Sequence, residues 1–264
     1  MKGNSKYTIG LHFSYHKCLT VYFQRVMRFL FEPKTLNKIS KHLGFKKKSG
    51  YKHFKSFKQD FLAEFGDYKF ASLNNHKIDV EKISGIPISH FVRDPRDLIV
   101  SGYFYHKSGI ENWTLIKSPT QDDYQIVNGI LPDNMPKHIS LYEYLNSCSL
   151  EDGLMAEIQF RKEHFRNMLA WPGEATNFIE FRYEDILGNE LEVFDQLFKH
   201  YEFGKDLIVR GIKGCEKYSA QKQQGKLEHI RDPKPNQYME IMPEKVLEYF
   251  NFHYDELLEK YDYK

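Results

Sequence analysis

Twice in this chain of 264 residues, a short apolar segment passes directly into a polar loop and then into a helix. Tyr7–Phe13 has the β-branched and aromatic residues of a strand, and apolar side chains recur at helical spacing from Val21 to Phe31. Ile86–Val92 is a similar strand, and Asp94-Pro95 after it are typical of a helix cap and first turn. These units predict an α/β fold with a mostly parallel central sheet flanked by helices and a P-loop-like unit at the N-terminus.

The rest of the chain fits the same alternation of strands and helices. Tyr68–Leu73 and Thr176–Asp185 are further strands. Helices are predicted over Phe54–Phe65, twice within Ser140–Ala170 with a break near Ser149, and over Glu190–Tyr201, Lys205–Lys213 and Pro243–Tyr261. Residues 108–138 are polar, contain three prolines and predict a long loop or lid. We find no linker or repeat, and we expect one domain over residues 1–264.

Composition excludes some classes of protein and favours a cytoplasmic one. Mean hydropathy is -0.61, and no stretch approaches the roughly 18 apolar residues that a membrane-spanning helix needs. The N-terminus lacks the pattern of a signal peptide, and three widely spaced cysteines predict thiols rather than disulfides. The net charge of +2 gives no reason to expect a nucleic-acid partner, although Pro33 to Gln59 contains nine lysines and no acid. For a charge run, a solvated face is the simpler interpretation, and an anionic acceptor is the other.

The loop SYHKCLT carries the first candidate site. Lys17 stands on a turn between strand and helix, and the hydroxyl of Thr20 follows three residues later. A helix N-terminus offers backbone N–H donors and a favourable dipole to an anion, and a lysine adds positive charge. The nucleoside-triphosphate loop GxxxxGK[ST] needs a glycine directly before its lysine, where this chain has His16, so an ordinary P-loop NTPase is disfavoured.

The segment FVRDPRDLIVSGYFYH carries the second candidate site. Arg93 ends a strand and Ser101 lies two helical turns further on, so a guanidinium and a hydroxyl can converge on one phosphate. The alternative is a weak surface salt bridge from Arg93 to Asp94 or Asp97.

Together these strings resemble the sulfotransferase family. SYHKCLTVYF is similar to its 5'-phosphosulfate loop, PKSGTTW or HKCGSTWL, with Leu19 where the family has glycine. VRDPRDLIVSGYFYH closely resembles its 3'-phosphate signature, R[DN]PxDxxxSxYxH. FIEFRYEDIL resembles the strand whose tyrosine approaches adenine, and a segment from residue 229 to the end resembles the closing segment, with Asp232-Pro233 where Lys-Gly is usual.

The resemblance implies a reaction and a set of residues. The donor would be 3'-phosphoadenosine 5'-phosphosulfate (PAPS), released as adenosine 3',5'-bisphosphate (PAP), and the acceptor a hydroxyl or amine. Lys17 would stabilise charge on the leaving phosphate. The implied nucleotide-binding residues are Tyr15, His16, Lys17, Cys18, Leu19, Thr20, Val21, Arg93, Ser101, Tyr183 and Arg231.

The acceptor must lose a proton, and histidine is the commonest side chain for that task. His76 follows a strand at the sheet edge where ligands bind, and Asn75-His76 resembles the Thr-His pair of the family's cytosolic branch. His16 and Glu64 are the alternatives. No spacing of histidines and acids predicts a metal site, and we expect the reaction to need no metal.

Two other functions stay open from the sequence. One is a nucleotide-dependent phosphotransferase that uses Lys17 and Arg93, and the other is a non-catalytic nucleotide-binding protein on the same fold. The acceptor would be selected by the variable segments 34–66 and 108–175, whose sequence does not identify it. The sequence also leaves the oligomeric state undetermined.

Overall fold

The computed structural model describes residues 9–31, 50–54, 68–75, 83, 85–171, 177–219 and 232–264. Within these residues, five strands form one parallel sheet. They are β1 (Gly10–Ser14), β2 (Tyr51–Phe54), β3 (Phe70–Asn74), β4 (Ile88–Val92) and β5 (Phe178–Arg182). Their order is β2-β3-β1-β4-β5, and every neighbouring pair is parallel. The predicted α/β fold with a parallel sheet is therefore confirmed.

The register brings the ends of the strands to one edge of the sheet. Ser14 pairs with Asn74 on one side and with Phe91 on the other. The central strand β1 thus ends beside β3 and β4. The loop after β1 starts at the point where chain connections leave toward β3 on one side and β4 on the other. In open parallel sheets this is the place where ligands bind.

Alternating side chains cover the two faces of the sheet. Leu11 and Phe13 pack on one face in a cluster with Trp171. His12 faces the other side, where its ring stacks on Phe23 and its Nδ1 lies 2.7 Å from the Ser89 hydroxyl. Buried side chains on both faces are what a sheet covered by helices on both sides requires.

The helices of the described residues flank this sheet. They are α1 (Thr20–Phe31), α2 (Pro95–Lys107), α3 (Gln121–Gln125), α4 (Leu141–Ser147), α5 (Leu150–Phe160), α6 (Lys162–Ala170), α7 (Tyr183–Ile186), α8 (Glu190–His200), α9 (Lys205–Tyr218), α10 (Tyr238–Ile241), α11 (Glu244–His253) and α12 (Asp255–Lys260), with a 3-10 helix at Asn112–Leu115. None of them is both long enough and apolar enough to cross a membrane.

Several predicted boundaries were wrong. The second helix within Ser140–Ala170 is two helices, because Arg161 separates α5 from α6. The predicted loop 108–138 contains α3 and the 3-10 helix, and the predicted helix Pro243–Tyr261 is divided at Tyr254. The strand β2 was missed because four residues with lysine and histidine at the centre have too short a pattern. Phe54, the first residue of a predicted helix, ends β2, and the rest of that prediction lies outside the described residues.

The start of α2 follows the predicted capping chemistry. The backbone N–H of Arg96 donates to Asp94 Oδ1 at 2.9 Å, and Pro95 occupies the first turn, where no intrahelical N–H donor is needed. This cap directs α2 away from the end of β4 and places Arg93 at the sheet edge.

Candidate active site

The loop between β1 and α1 is a tight turn held by its own backbone. The N–H of Cys18 donates to Tyr15 O at 3.0 Å, and the Thr20 hydroxyl donates to the same carbonyl at 3.2 Å. Lys17 and Leu19 have φ angles of 76° and 53°. This left-handed region favours glycine, so Leu19 adopts the kind of conformation for which the related motif carries glycine.

Lys17 lies in a largely buried, positively charged environment. Its Nζ is 4.1 Å from the centre of the Tyr105 ring, a cation–π contact. Burial, together with the charges of Arg93 and Arg161, lowers the pKa of Lys17 to about 8. An anion bound here would meet an ammonium group that lacks its full hydration, so their attraction would be stronger than in water.

Two other side chains of this loop are buried in the protein interior. Tyr15 and Cys18 are buried in the core, and burial raises the pKa of Cys18 to about 12. These two residues can meet a nucleotide only through backbone atoms. Val21 is 45% exposed at the outer side of α1.

Arg93 connects the two candidate loops. Its Nη1 donates to the carbonyl oxygen of Lys17 at 3.3 Å, and its Nη2 donates to Asp97 Oδ2 at 3.3 Å. The guanidinium also lies 4.1 Å from the centre of the Tyr183 ring. The pairing with Asp97 considered above does exist, but its side chains are only 3% and 0% exposed, so it is a buried pair and not a weak surface one.

Asp97 holds the C-terminal segment beside Arg93. Its two carboxylate oxygens accept hydrogen bonds from the backbone N–H groups of Asn236, at 2.8 Å, and Tyr238, at 3.0 Å. The Tyr183 hydroxyl donates to Pro233 O at 2.7 Å. The segment from 232 to 238 is therefore fixed beside Arg93, whereas Arg231, a predicted phosphate ligand, lies outside the described residues.

Ser101 is half-buried on the second turn of α2. It thus lies on the helix that Arg93 precedes, as the spacing predicted.

Asn75 fastens the end of β3 to the first loop, a role that its place beside His76 in the sequence did not indicate. Its side-chain oxygen accepts the backbone N–H of His16 at 2.9 Å. Its carbonyl oxygen accepts from the side chains of Asn128, at 3.1 Å, and Asn167, at 3.2 Å. His76 comes directly after this clamp but lies outside the described residues, as does Glu64.

His16 is held in its neutral form. Burial, followed by the neighbouring His106 and Arg161, lowers the pKa of His16 well below 6.5. A neutral imidazole can accept a hydrogen bond at one ring nitrogen, whereas burial and the neighbouring positive charges disfavour its protonation.

Within the described ranges, no group of three histidine, cysteine or acidic side chains is arranged to hold a metal ion.

Comparison with solved structures identifies the class of fold. The chain has the fold of the mouse sulfotransferase SULT7A1 complexed with PAP, with a TM-score of 0.53 at 12% identity over 97% of this chain and 88% of that one. This likeness and the parallel sheet confirm the expected sulfotransferase fold.

Two further similar structures contain retinol dehydratase. One is in complex with androsterone and inactive cofactor PAP (TM-score 0.47, 12% identity, 95% of this chain and 80% of that one). The other is in complex with retinol and PAP (TM-score 0.46, 12% identity, 96% and 82%). No family model matches the sequence, and no curated protein matches it.

Proposed function

We propose that this protein, as one domain over residues 1–264, transfers a sulfuryl group from PAPS to a hydroxyl or amine. The observation that carries the proposal is the hydrogen bond from Arg93 to the Lys17 carbonyl, because it joins the two loops that resemble phosphate-binding motifs. The fold of a sulfotransferase that was solved with PAP supports it.

The residues at this edge suit a nucleotide with phosphates at both ends. Arg93 is buried, and its Nε has no hydrogen-bond partner among the described residues. In the proposal, Arg93 and Ser101 hold the 3'-phosphate together with Arg231, and the 5' end lies at the loop with Lys17 and Thr20. Tyr183 lies beside the adenine, and its contact with Arg93 fixes the orientation of both side chains.

Bound PAPS would supply an activated sulfuryl group. The part of Lys17 is to stabilise negative charge on the leaving phosphate, which a partly desolvated ammonium does more strongly than a hydrated one. The left-handed turn and the Asn75 clamp fix the position of Lys17 before any ligand binds, so little reorganisation is needed.

The proton of the acceptor goes to His76 in this proposal, because the Asn75 clamp holds the preceding residue against the loop. We expect His76→Ala to lower turnover by about 10²–10⁴-fold while PAP affinity changes less than about twofold. Pre-steady-state transfer of radiolabelled sulfuryl measures the first quantity, and calorimetry measures the second. His16→Ala is the comparison: if it alone abolishes transfer, His16 is the base.

Nucleotide affinity should fall as pH rises through about 8, the pKa of Lys17 in the unliganded protein. Bound phosphates favour the protonated amine, so binding above this pH requires the uptake of a proton. Calorimetric titration with PAP between pH 7.5 and 9.5 should show affinity declining toward about tenfold per pH unit. Lys17→Arg should bind without this decline, since arginine stays charged. An identical decline in that variant would assign the titration to another group.

The proposed function is tested first by thermal unfolding with PAP, AMP and ATP in the presence of a chelator. A ligand at 100 times its Kd stabilises a fold by about 2.7 kcal/mol, which moves the midpoint by a few degrees. We expect a shift with PAP that exceeds the other two. A shift with ATP that requires magnesium would instead support a phosphotransferase. Binding of PAP without transfer to any acceptor in a broad screen would indicate a non-catalytic protein.

A further inference from the structure

Four buried polar side chains form a second group near Lys17, which we call the arginine-histidine cluster: His106, Glu157, Arg161 and His164. Glu157 Oε2 lies 2.7 Å from His106 Nδ1, and Arg161 Nε donates to Glu157 Oε1 at 2.7 Å. His164 Nε2 donates to Val127 O at 2.9 Å. All four are at most 2% exposed.

The cluster keeps hydrogen-bonding capacity that the described protein atoms do not use. Arg161 Nη1 and Nη2, His106 Nε2 and His164 Nδ1 are buried without a partner in the described part of the chain. Arg161 donates to Glu157 through Nε, so Nη1 and Nη2 at the end of the guanidinium stay without a partner among the described residues. That end is the group that binds carboxylates, sulfates and phosphates bidentately.

The cluster adjoins the proposed reaction site. The charge of Arg161 contributes to the lowered pKa values of both Lys17 and His16. The rings of His16 and His106 stack with centroids 5.6 Å apart. Gly102, next to Ser101, allows this approach, because a Cβ there would collide with the ends of Glu157 and Arg161.

The cluster belongs to the acceptor side by sequence as well. Arg161, Glu157 and His164 come from the segment 108–175, which we expected to contact the acceptor. The other such segment, 34–66, is rich in lysine and contains β2, whose end at Phe54 lies at the same edge of the sheet as Ser14. The lysines of segment 34–66 and the buried guanidinium of Arg161 both favour an anionic acceptor.

We propose that Arg161 binds an anionic group of the acceptor, so that the substrate carries a carboxylate, sulfate or phosphate near the hydroxyl or amine that is sulfated. The inference deepens the proposed function and rests on it for the identity of the reaction. Arg161 is then a specificity-determining residue, and His106 and Glu157 are positioning residues that hold its guanidinium.

The test uses pairs of probes that differ in charge and little in shape. 4-Hydroxybenzoate is compared with 4-hydroxybenzamide, and methyl glucuronide with its carboxamide, by calorimetry on the full chain saturated with PAP. We expect the anionic member of at least one pair to bind about tenfold more tightly, as for a charge-assisted bidentate contact. Equal affinities within both pairs would overturn the proposal and leave the cluster as an internal network.

Two variants assign the preference to Arg161. Arg161→Gln should reduce the affinity ratio of the anionic to the neutral probe to below about twofold. Arg166→Gln, at an exposed arginine of α6, should preserve this ratio. If Arg161→Gln does not fold, Gly102→Ala keeps the arginine but displaces its end, and should reduce the ratio as well. A charge preference that survives these changes would also overturn the proposal.

The same titrations without PAP separate the two hypotheses. A charge preference that depends on Arg161 in a protein unable to bind PAP would uphold the anion site and contradict the sulfotransferase function. Binding of PAP with no charge preference for any acceptor probe would overturn the anion site and leave the proposed function to be decided by the transfer assay.

Discussion

Replacing Lys17 with alanine is expected to lower the rate of sulfuryl transfer by about 10²–10³-fold, the effect of removing one preorganised charge-stabilising group. The expected loss is large because Lys17 is mostly buried and its pKa is lowered to about 8, so water replaces its charge poorly. Single-turnover transfer from radiolabelled PAPS at saturating enzyme measures the chemical step without the contribution of product release.

A matched control is available on α2. The Nζ of Lys107 lies 5.2 Å from the centre of the Tyr103 ring, so Lys107→Ala also removes a lysine from an aromatic contact. We expect transfer by this variant to stay within about twofold of the unmodified protein, as for an exposed or partly exposed charge. A Lys17→Ala protein that transfers at the normal rate would show that leaving-group charge is stabilised elsewhere.

Replacing Arg93 with alanine should weaken PAP binding by about 100-fold or more, because a charge-assisted contact to phosphate is lost from a buried position. It should also lower the free energy of unfolding by about 3–5 kcal/mol, since the buried carboxylate of Asp97 loses its cationic partner. The affinity is measured by calorimetry at a temperature where the variant is folded, and the stability by denaturant unfolding without ligand.

The two effects of Arg93 can be separated with a second variant. Arg93→Ala combined with Asp97→Asn removes both charges of the pair, so it should restore none of the affinity and only part of the stability. The recovery is limited because the amide offers one oxygen to the two backbone N–H groups of Asn236 and Tyr238. Arg182→Ala is the control: this arginine is more exposed and pairs with Asp185 at the surface, where such pairs contribute about 0–1 kcal/mol. Normal PAP affinity in the Arg93→Ala protein would place the 3'-phosphate elsewhere and undermine the proposed function.

The sequence alone was sufficient where the signals were local. The strand before Lys17, the helix after it, and the cap formed by Asp94 and Pro95 each depend on side-chain periodicity or on hydrogen bonds between close neighbours. The α/β class followed from two such units in order, and so did the positions of Lys17 and Arg93 directly after strands.

The tertiary structure decided what depends on residues distant in the chain. The contact of Arg93 with Lys17 spans 76 positions, and the contact of Asp97 with Tyr238 spans 141. Asn128 and Asn167 lie in no motif, and Asn75 was noted only as the neighbour of His76. Their convergence in the fold makes the three a clamp.

Burial likewise needed the fold. Cys18 and Tyr15 lie within a motif, yet their side chains are buried in the core. Arg161 lies in no motif, and it is buried with Nη1 and Nη2 unpaired in the part of the chain that the structure describes. The sequence gives the chemical groups of each side chain, and local spacing predicts which side chains on the same helix or strand can be in contact. Which groups lose water, and which charges then act on one another, depends on packing between elements, so the positive edge of the sheet arises only in the folded chain.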